Sequence, residues 1–182
     1  MAFELDEAIA LLARTPDTLR ELLGDLPDAW TRTDEGEGTF SAFDVVGHLI
    51  HGERTDWLPR ARIILEHGEK RAFEPFDRFA QLRENEGRPL GELLDTFDEL
   101  RQRNLIDLKE LDLSARDLER AGTHPELGRV TLGQLLATWV VHDLDHLCQI
   151  ARVMASRYRK DTGPWWVYHR ILEEPRRGSA KD

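Results

Sequence analysis

The sequence predicts an all-α protein, a four-helix bundle with a short extra C-terminal helix, and three observations carry that prediction. Apolar residues recur at three- and four-residue spacing almost throughout, alternating β-branched runs are nearly absent, and capping signals mark the starts of two long segments. Four amphipathic segments joined by irregular polar stretches are what a bundle requires.

In the first segment Phe3, Leu5, Ala8, Ile9, Leu11 and Leu12 form one apolar stripe, which Leu19, Leu22 and Leu23 continue beyond Thr15-Pro16. That dipeptide either starts a new helix, with Pro16 at its first position, or kinks one long helix. The second helix opens at Ser41, which can cap free amides, with Asp44 at the positive helix end and Phe40 placed to staple against Val45. It runs through Val46, His48, Leu49, Ile50 and Trp57 toward Leu65, with a kink expected at Pro59 and a stop near Gly68. A polar stretch over 69–88 leads to the third helix, which opens at Pro89. There Leu90, Leu93, Leu94, Phe97, Leu100, Leu108 and Leu111 make a buried seam. Asn104 interrupts it, as a buried amide partner or as a solvent-facing residue. THPELGRV (123–130) reads as a connecting loop. The fourth helix starts with a Thr131/Gln134 capping box and a Val130–Leu135 staple; Leu132, Leu135, Trp139, His142, His146, Gln149 and Val153 share one face. A short terminal helix around Trp165–Leu172 is expected to lie across the outside.

The chain of 182 residues reads as a single domain over 1–182, with 40% hydrophobic and 33% charged residues, an ordinary globular balance. A net charge of −10 repels phosphate backbones, so no nucleic-acid partner is expected. The basic residues Arg176, Arg177 and Lys181 read as a frayed terminus. Cys148 is the only cysteine, which rules out an internal disulfide and a cysteine-based zinc knuckle. The N-terminal stretch lacks a cleavable signal pattern, and no apolar run approaches the roughly 20 residues that span a bilayer. A soluble cytoplasmic protein without membrane association is the expectation.

The stretch VVHDLDHLCQI (140–150) places His142 and His146 four apart, on the stripe that Leu135, Trp139 and Val153 define as inward-facing. Residues at that spacing share a helix face, so both imidazoles can converge on one ion. Buried polar side chains are costly without partners, and a metal offers one. Two ligands rarely suffice, so a third is sought on a facing helix, where GHLIHGE supplies His48, His51 and Glu53. His51 either shares the site or points to its rim. Glu53 is a fourth ligand, an acceptor behind the ligands, or a charge paired with an arginine. Gln149 extends the polar row by a turn.

The stretches TFSAFDVVGHLIHGERTDWLPRA and HPELGRVTLGQLLATWVVHDLDHLCQIARVM resemble the DinB-like superfamily, and the resemblance extends from the first helix through the fourth. It implies an up-down-down-up bundle, frequent homodimers, and a metal-binding triad that falls on His48, His142 and His146. The ion it implies is divalent, zinc or nickel, and some members transfer or isomerise with a low-molecular-weight thiol. Three neutral imidazoles leave such an ion its charge and an open position, as in catalytic sites. The expected function is therefore a metal-dependent, thiol-using transferase acting on a small-molecule substrate. The alternatives are a non-catalytic metal-binding or regulatory protein and a hydrolase using water, with Glu53, Asp143 or Asp145 as its base. His142 to His146 superficially resembles H-E-x-x-H, with aspartate in place of glutamate. Otherwise Asp143 and Asp145 read as exposed or as acceptors orienting a ligand ring, and Cys148 as a packing residue. His67 and His169 read as structural, His124 as a turn residue, Trp57 and Trp139 as core, and Trp165 and Trp166 as a cover or dimer contact.

Overall fold

Both helix starts that the sequence marks most strongly are built as capping boxes. Ser41 Oγ accepts the Asp44 amide at 3.2 Å while the Asp44 carboxylate accepts the Ser41 amide at 3.0 Å. Thr131 and Gln134 do the same at 3.2 and 2.9 Å. Each box satisfies amides that the first helical turn leaves without partners. The structure, a computed structural model, describes residues 3–173; the basic residues Arg176, Arg177 and Lys181 lie outside that range.

The first bundle helix is two pieces, α1 (Leu5–Leu12) and α2 (Thr15–Leu23), with Pro16 in the first turn of α2. A short α3 (Asp28–Thr31) follows. The second bundle helix is also two pieces, α4 (Ala42–Thr55) and α5 (Trp57–His67). The break expected at Pro59 falls instead at Asp56, with φ −106° and ψ −69°. Pro59 is then the third residue of α5, where an amide would have no partner within the helix anyway, so the chain bends before the proline. Gly68 stops α5 at φ 59°, a conformation that glycine adopts without strain. Within the polar stretch, α6 (Ala80–Glu84) packs on α4. It can do so because Gly47 has no side chain: a Cβ there would lie 2.7 Å from Asn85 Nδ2.

The other two bundle helices are unbroken, α7 (Leu90–Glu110) and α9 (Leu132–Ser156), with a short α8 (Ala115–Leu118) between them. The segment 123–130, expected to be a loop, forms most of a hairpin. Strands β1 (Ala121–His124) and β2 (Gly128–Thr131) pair antiparallel, with Ala121 opposite Thr131 and His124 opposite Gly128. Strands of four residues are too short to show alternation, and what anchors them is distant in sequence. Phe73 donates its amide to Thr123 O at 3.0 Å, and Gly122 lies so close to Ile64 that a Cβ would meet it at 2.7 Å. The C-terminal helical segment is two 3-10 turns, Gly163–Tyr168 and Arg170–Leu172, of which Leu172 alone is buried. Trp165 and Trp166 are exposed. No helix among the described residues is long and apolar enough to cross a membrane.

Each half of the bundle pairs with both long helices: α1 packs on α9 and α2 on α7, while the α4–α5 arm packs on α7 and α9. The core has two apolar halves. One gathers Ile9, Leu12, Trp57, Ile64, Leu105, Leu108, Leu132 and Trp139; the other gathers Leu19, Leu23, Val46, Ile50, Leu93, Phe97 and Ile150. Between them lies one polar layer to which every bundle helix contributes: Thr15, Glu53, Arg101 and Asp143, each at most 4% exposed. Arg101 donates to both Asp143 oxygens at 2.6 and 3.0 Å, to Glu53 Oε1 at 2.8 and 3.2 Å, and to Leu12 O at 2.7 Å. Thr15 Oγ1 donates to Asp143 at 2.6 Å and Trp139 Nε1 to Glu53 Oε1 at 3.0 Å. Asn104 resolves as an amide partner, donating to Glu53 O and Oε2 at 2.8 and 2.9 Å.

Candidate metal centre

At the level of this polar layer, on the side where α4 faces α9, three imidazoles meet. His48 comes from α4, and His142 and His146 from successive turns of α9. His142 Nε2 lies 3.1 Å from His48 Nε2 and 3.1 Å from His146 Nε2, and all three donors fall within 4.8 Å of one another. Nitrogens bound at about 2.1 Å to one ion stand about 3.0 Å apart at a right angle and about 3.4 Å apart at a tetrahedral angle. The observed separations fit that donor set. His146 is oriented from behind: Gln149 Oε1 accepts its Nδ1–H at 2.8 Å, which leaves the Nε2 lone pair on the shared point. The outer nitrogens of His48 and His142 are buried without a partner among the described residues.

All three rings are held neutral. Burial, reinforced by His146, His51 and Arg78, lowers His48 to about 3, and burial with His146 and His48 lowers His142 to about 2. Burial lowers His146 as well, against the pull of Gln149. Neutral imidazole is the form that binds a cation. A stability consequence follows for the metal-free protein. The unfolded chain takes up protons below about pH 6.5 that the folded rings refuse, so stability falls as pH drops from there toward 3. Each ring contributes a slope of up to about 1.4 kcal/mol per pH unit. Glu53 and Asp56, raised by burial, act in the opposite sense above their ordinary values, while His146 and His124, lowered by burial, add to the two rings. Urea unfolding of chelator-treated protein at pH 7, 6 and 5 should show a decline of at least about 1 kcal/mol per unit below pH 6.

The triad forms the floor of a cavity of about 660 Å³. Trp57 meets the His142 ring edge-on at 5.0 Å, and Phe76 and Phe40 lie 5.3 and 6.2 Å from the His48 ring. Trp57 itself stacks on Trp139 at 5.7 Å, which links the floor to the Glu53 side of the polar layer.

The other candidates fall elsewhere. His51 is buried against Phe76 at 5.1 Å, with Glu84 Oε1 3.4 Å from its Nδ1, and is not among the converging donors. Glu53, of its three open readings, is the carboxylate paired with an arginine, although it is buried rather than solvated. Asp143 is neither exposed nor behind a ligand ring: it turns inward to Arg101, because a seam position beside Trp139 and Ile150 faces the core. Asp145 is exposed. Cys148, expected as a packing residue, is exposed on the opposite side of α9. His124 does set the hairpin turn, its Nδ1 accepting the Glu126 and Leu127 amides at 3.1 and 3.2 Å, and it also lines the cavity. Sequence reasoning passed over Arg101. Its signal was present in the 3-4-4-3 spacing of Leu94, Phe97, Arg101, Leu105 and Leu108, which puts a charge in a core seam.

The sequence profile of the DinB superfamily matches residues 11–150. The chain belongs to the DinB superfamily. The matched span holds all three converging histidines, the Ser41 and Thr131 capping boxes and the whole polar layer of this DinB protein. Among solved structures, YfiT from Bacillus subtilis, described as a probable metal-dependent hydrolase with an unusual four-helix bundle topology, is similar with a TM-score of 0.72. The likeness covers 86% of this chain and 87% of YfiT at 23% identity, and it shows a shared four-helix-bundle fold. No curated protein matches the chain by sequence.

Proposed function

We propose that this protein is a divalent-metal enzyme that joins a low-molecular-weight thiol to a small molecule held in the cavity above His48, His142 and His146. The observation that carries the reading is the meeting of three neutral ring nitrogens, 3.1 Å apart in two pairs, at the floor of an open cavity. His48, His142 and His146 would hold the ion, zinc or nickel, with Gln149 fixing the His146 ring. A divalent ion in such a site supplies a Lewis acid that acidifies a coordinated thiol or water. Trp57, Phe40 and Phe76 line the cavity and keep water from the reacting groups.

The thiol reading is favoured over water activation by where the carboxylates are. Glu53 and Asp143 are committed to Arg101, and Asp56, which lines the cavity, lies 2.5 Å from Arg60. Glu126, exposed on the hairpin turn, is the cavity carboxylate outside these pairs, and a thiol, which a divalent ion would acidify further than water, asks least of such an acceptor. Hydrolysis is the second reading, supported by the likeness to YfiT and its description. Cobalt-substituted protein separates the two. Added thiols should produce a sulfur-to-cobalt absorption band that His142→Ala abolishes. An unchanged spectrum together with turnover of ester or amide probes would replace the thiol reading with the hydrolytic one.

A further inference from the structure

Three guanidinium groups line the cavity, and their partners differ. Arg60 is buried and lies 2.5 Å from Asp56; Arg152 lies 2.7 Å from Glu35. Arg78 has no carboxylate partner among the described residues; it reaches the cavity from the loop that also carries Phe76 and Phe79, its guanidinium 5.4 Å from the Phe79 ring. Across the cavity the hairpin turn contributes one carboxylate, Glu126, which is exposed. The same turn fixes His124 as a donor, because its Nδ1 accepts two backbone amides and leaves the proton on Nε2. In a chain of net charge −10, Arg78 offers this cavity, lined in part by Phe40, Trp57 and Phe76, a guanidinium outside any ion pair among the described residues, and His124 adds a neutral donor. The three uncharged floor ligands would leave a bound cation's charge undiminished and add to the attraction for an anion.

We propose that the cavity takes a small molecule with an apolar body and one terminal oxyanion, carboxylate or phosphate, which pairs with Arg78 while the other end reaches the histidine floor. The aromatic rings of Phe40, Phe76 and Trp57 receive the body, and the guanidinium fork suits either oxyanion. The inference rests on the function proposed above only in taking this cavity as the substrate site. It names the charge that the substrate must carry.

The test is calorimetric titration of chelator-treated protein at low salt with phenylacetate, phenyl phosphate and the neutral phenylacetamide. The expected result is that at least one anion binds about tenfold or more tightly than the amide. Arg78→Ala should remove that preference, Arg78→Lys should retain part of it, and Arg103→Ala, an exposed residue outside the cavity, should leave it intact. The two anion arms identify the oxyanion. No binding of either anion, equal affinity for the amide, or a preference that survives Arg78→Ala would each overturn the inference. Because no metal is present in this titration, a failed thiol reaction bears on the proposed function alone.

Discussion

In His142→Ala, a metal content of about one divalent ion per chain should fall to background in protein purified without an affinity tag. His142 is the middle donor, 3.1 Å from each of the other two Nε2 atoms. Without it the remaining pair comes from two different helices, separated by the space the ring had filled. Two imidazoles make a poor site for an ion that ordinarily takes three or four protein ligands. The loss has a thermodynamic counterpart. Metal at a hundredfold excess over its dissociation constant should raise the unfolding free energy of the wild-type protein by about 2.7 kcal/mol and leave the variant unmoved. Gln149→Ala should be milder, weakening binding by about 10–100-fold, because it frees the His146 ring without removing a donor. Cys148→Ala, on the exposed side of the same helix, should change nothing. Stoichiometric metal retained by His142→Ala would refute the assignment of these three residues as ligands.

What was legible in the sequence follows from where the determining contacts lie. The bundle could be read because a helix states its buried face in its own spacing and its start in four residues, as Ser41–Asp44 and Thr131–Gln134 do. His142 and His146 could be read as converging for the same reason, since one turn of one helix brings them together. What stayed hidden depends on contacts between distant segments. The 121–131 hairpin is held by Phe73 and Ile64. The cavity wall at Phe76 and Arg78 is an aperiodic loop whose placement follows from α6 docking at Gly47. Glu53, Arg101 and Asp143 form an intermediate case. Each occupies a seam position, so its burial was written locally, but that Arg101 is the partner of both carboxylates depends on three helices meeting.

That layer makes Arg101→Met the variant with the largest expected effect on stability, a loss of about 3–5 kcal/mol. For a chain of this size the loss corresponds to a fall in Tm of about 6–20 °C. The substitution keeps most of the side-chain length and removes the counter-ion of two carboxylates, Glu53 and Asp143, that are each 2% exposed. Burial already pushes the Glu53 carboxyl up, against the pull of Arg101 and Asn104. The guanidinium stays protonated because Glu53 and Asp143 outweigh the burial that would lower it. With the guanidinium gone, the carboxyls must take up protons or stay charged in an apolar core, and Leu12 O loses its donor. Arg101→Lys should fall between, since one ammonium cannot reach the five contacts that the fork makes with Asp143, Glu53 and Leu12. The decisive comparison is Arg101→Met combined with Glu53→Gln and Asp143→Asn. If the penalty comes from uncompensated charge, the triple variant should recover much of the stability that the single variant loses, read from urea midpoints at constant m. If the triple variant is as unstable as Arg101→Met, shape rather than charge holds the layer. The consequence reaches the metal centre, because Asp143 adjoins His142 and Glu53 lies on the helix that carries His48. A layer that clamps α4 to α9 through Arg101 also sets the distance between the ring of one helix and the two rings of the other. Arg101→Met, where it still folds, should therefore bind metal more weakly than the wild-type protein although it touches no ligand.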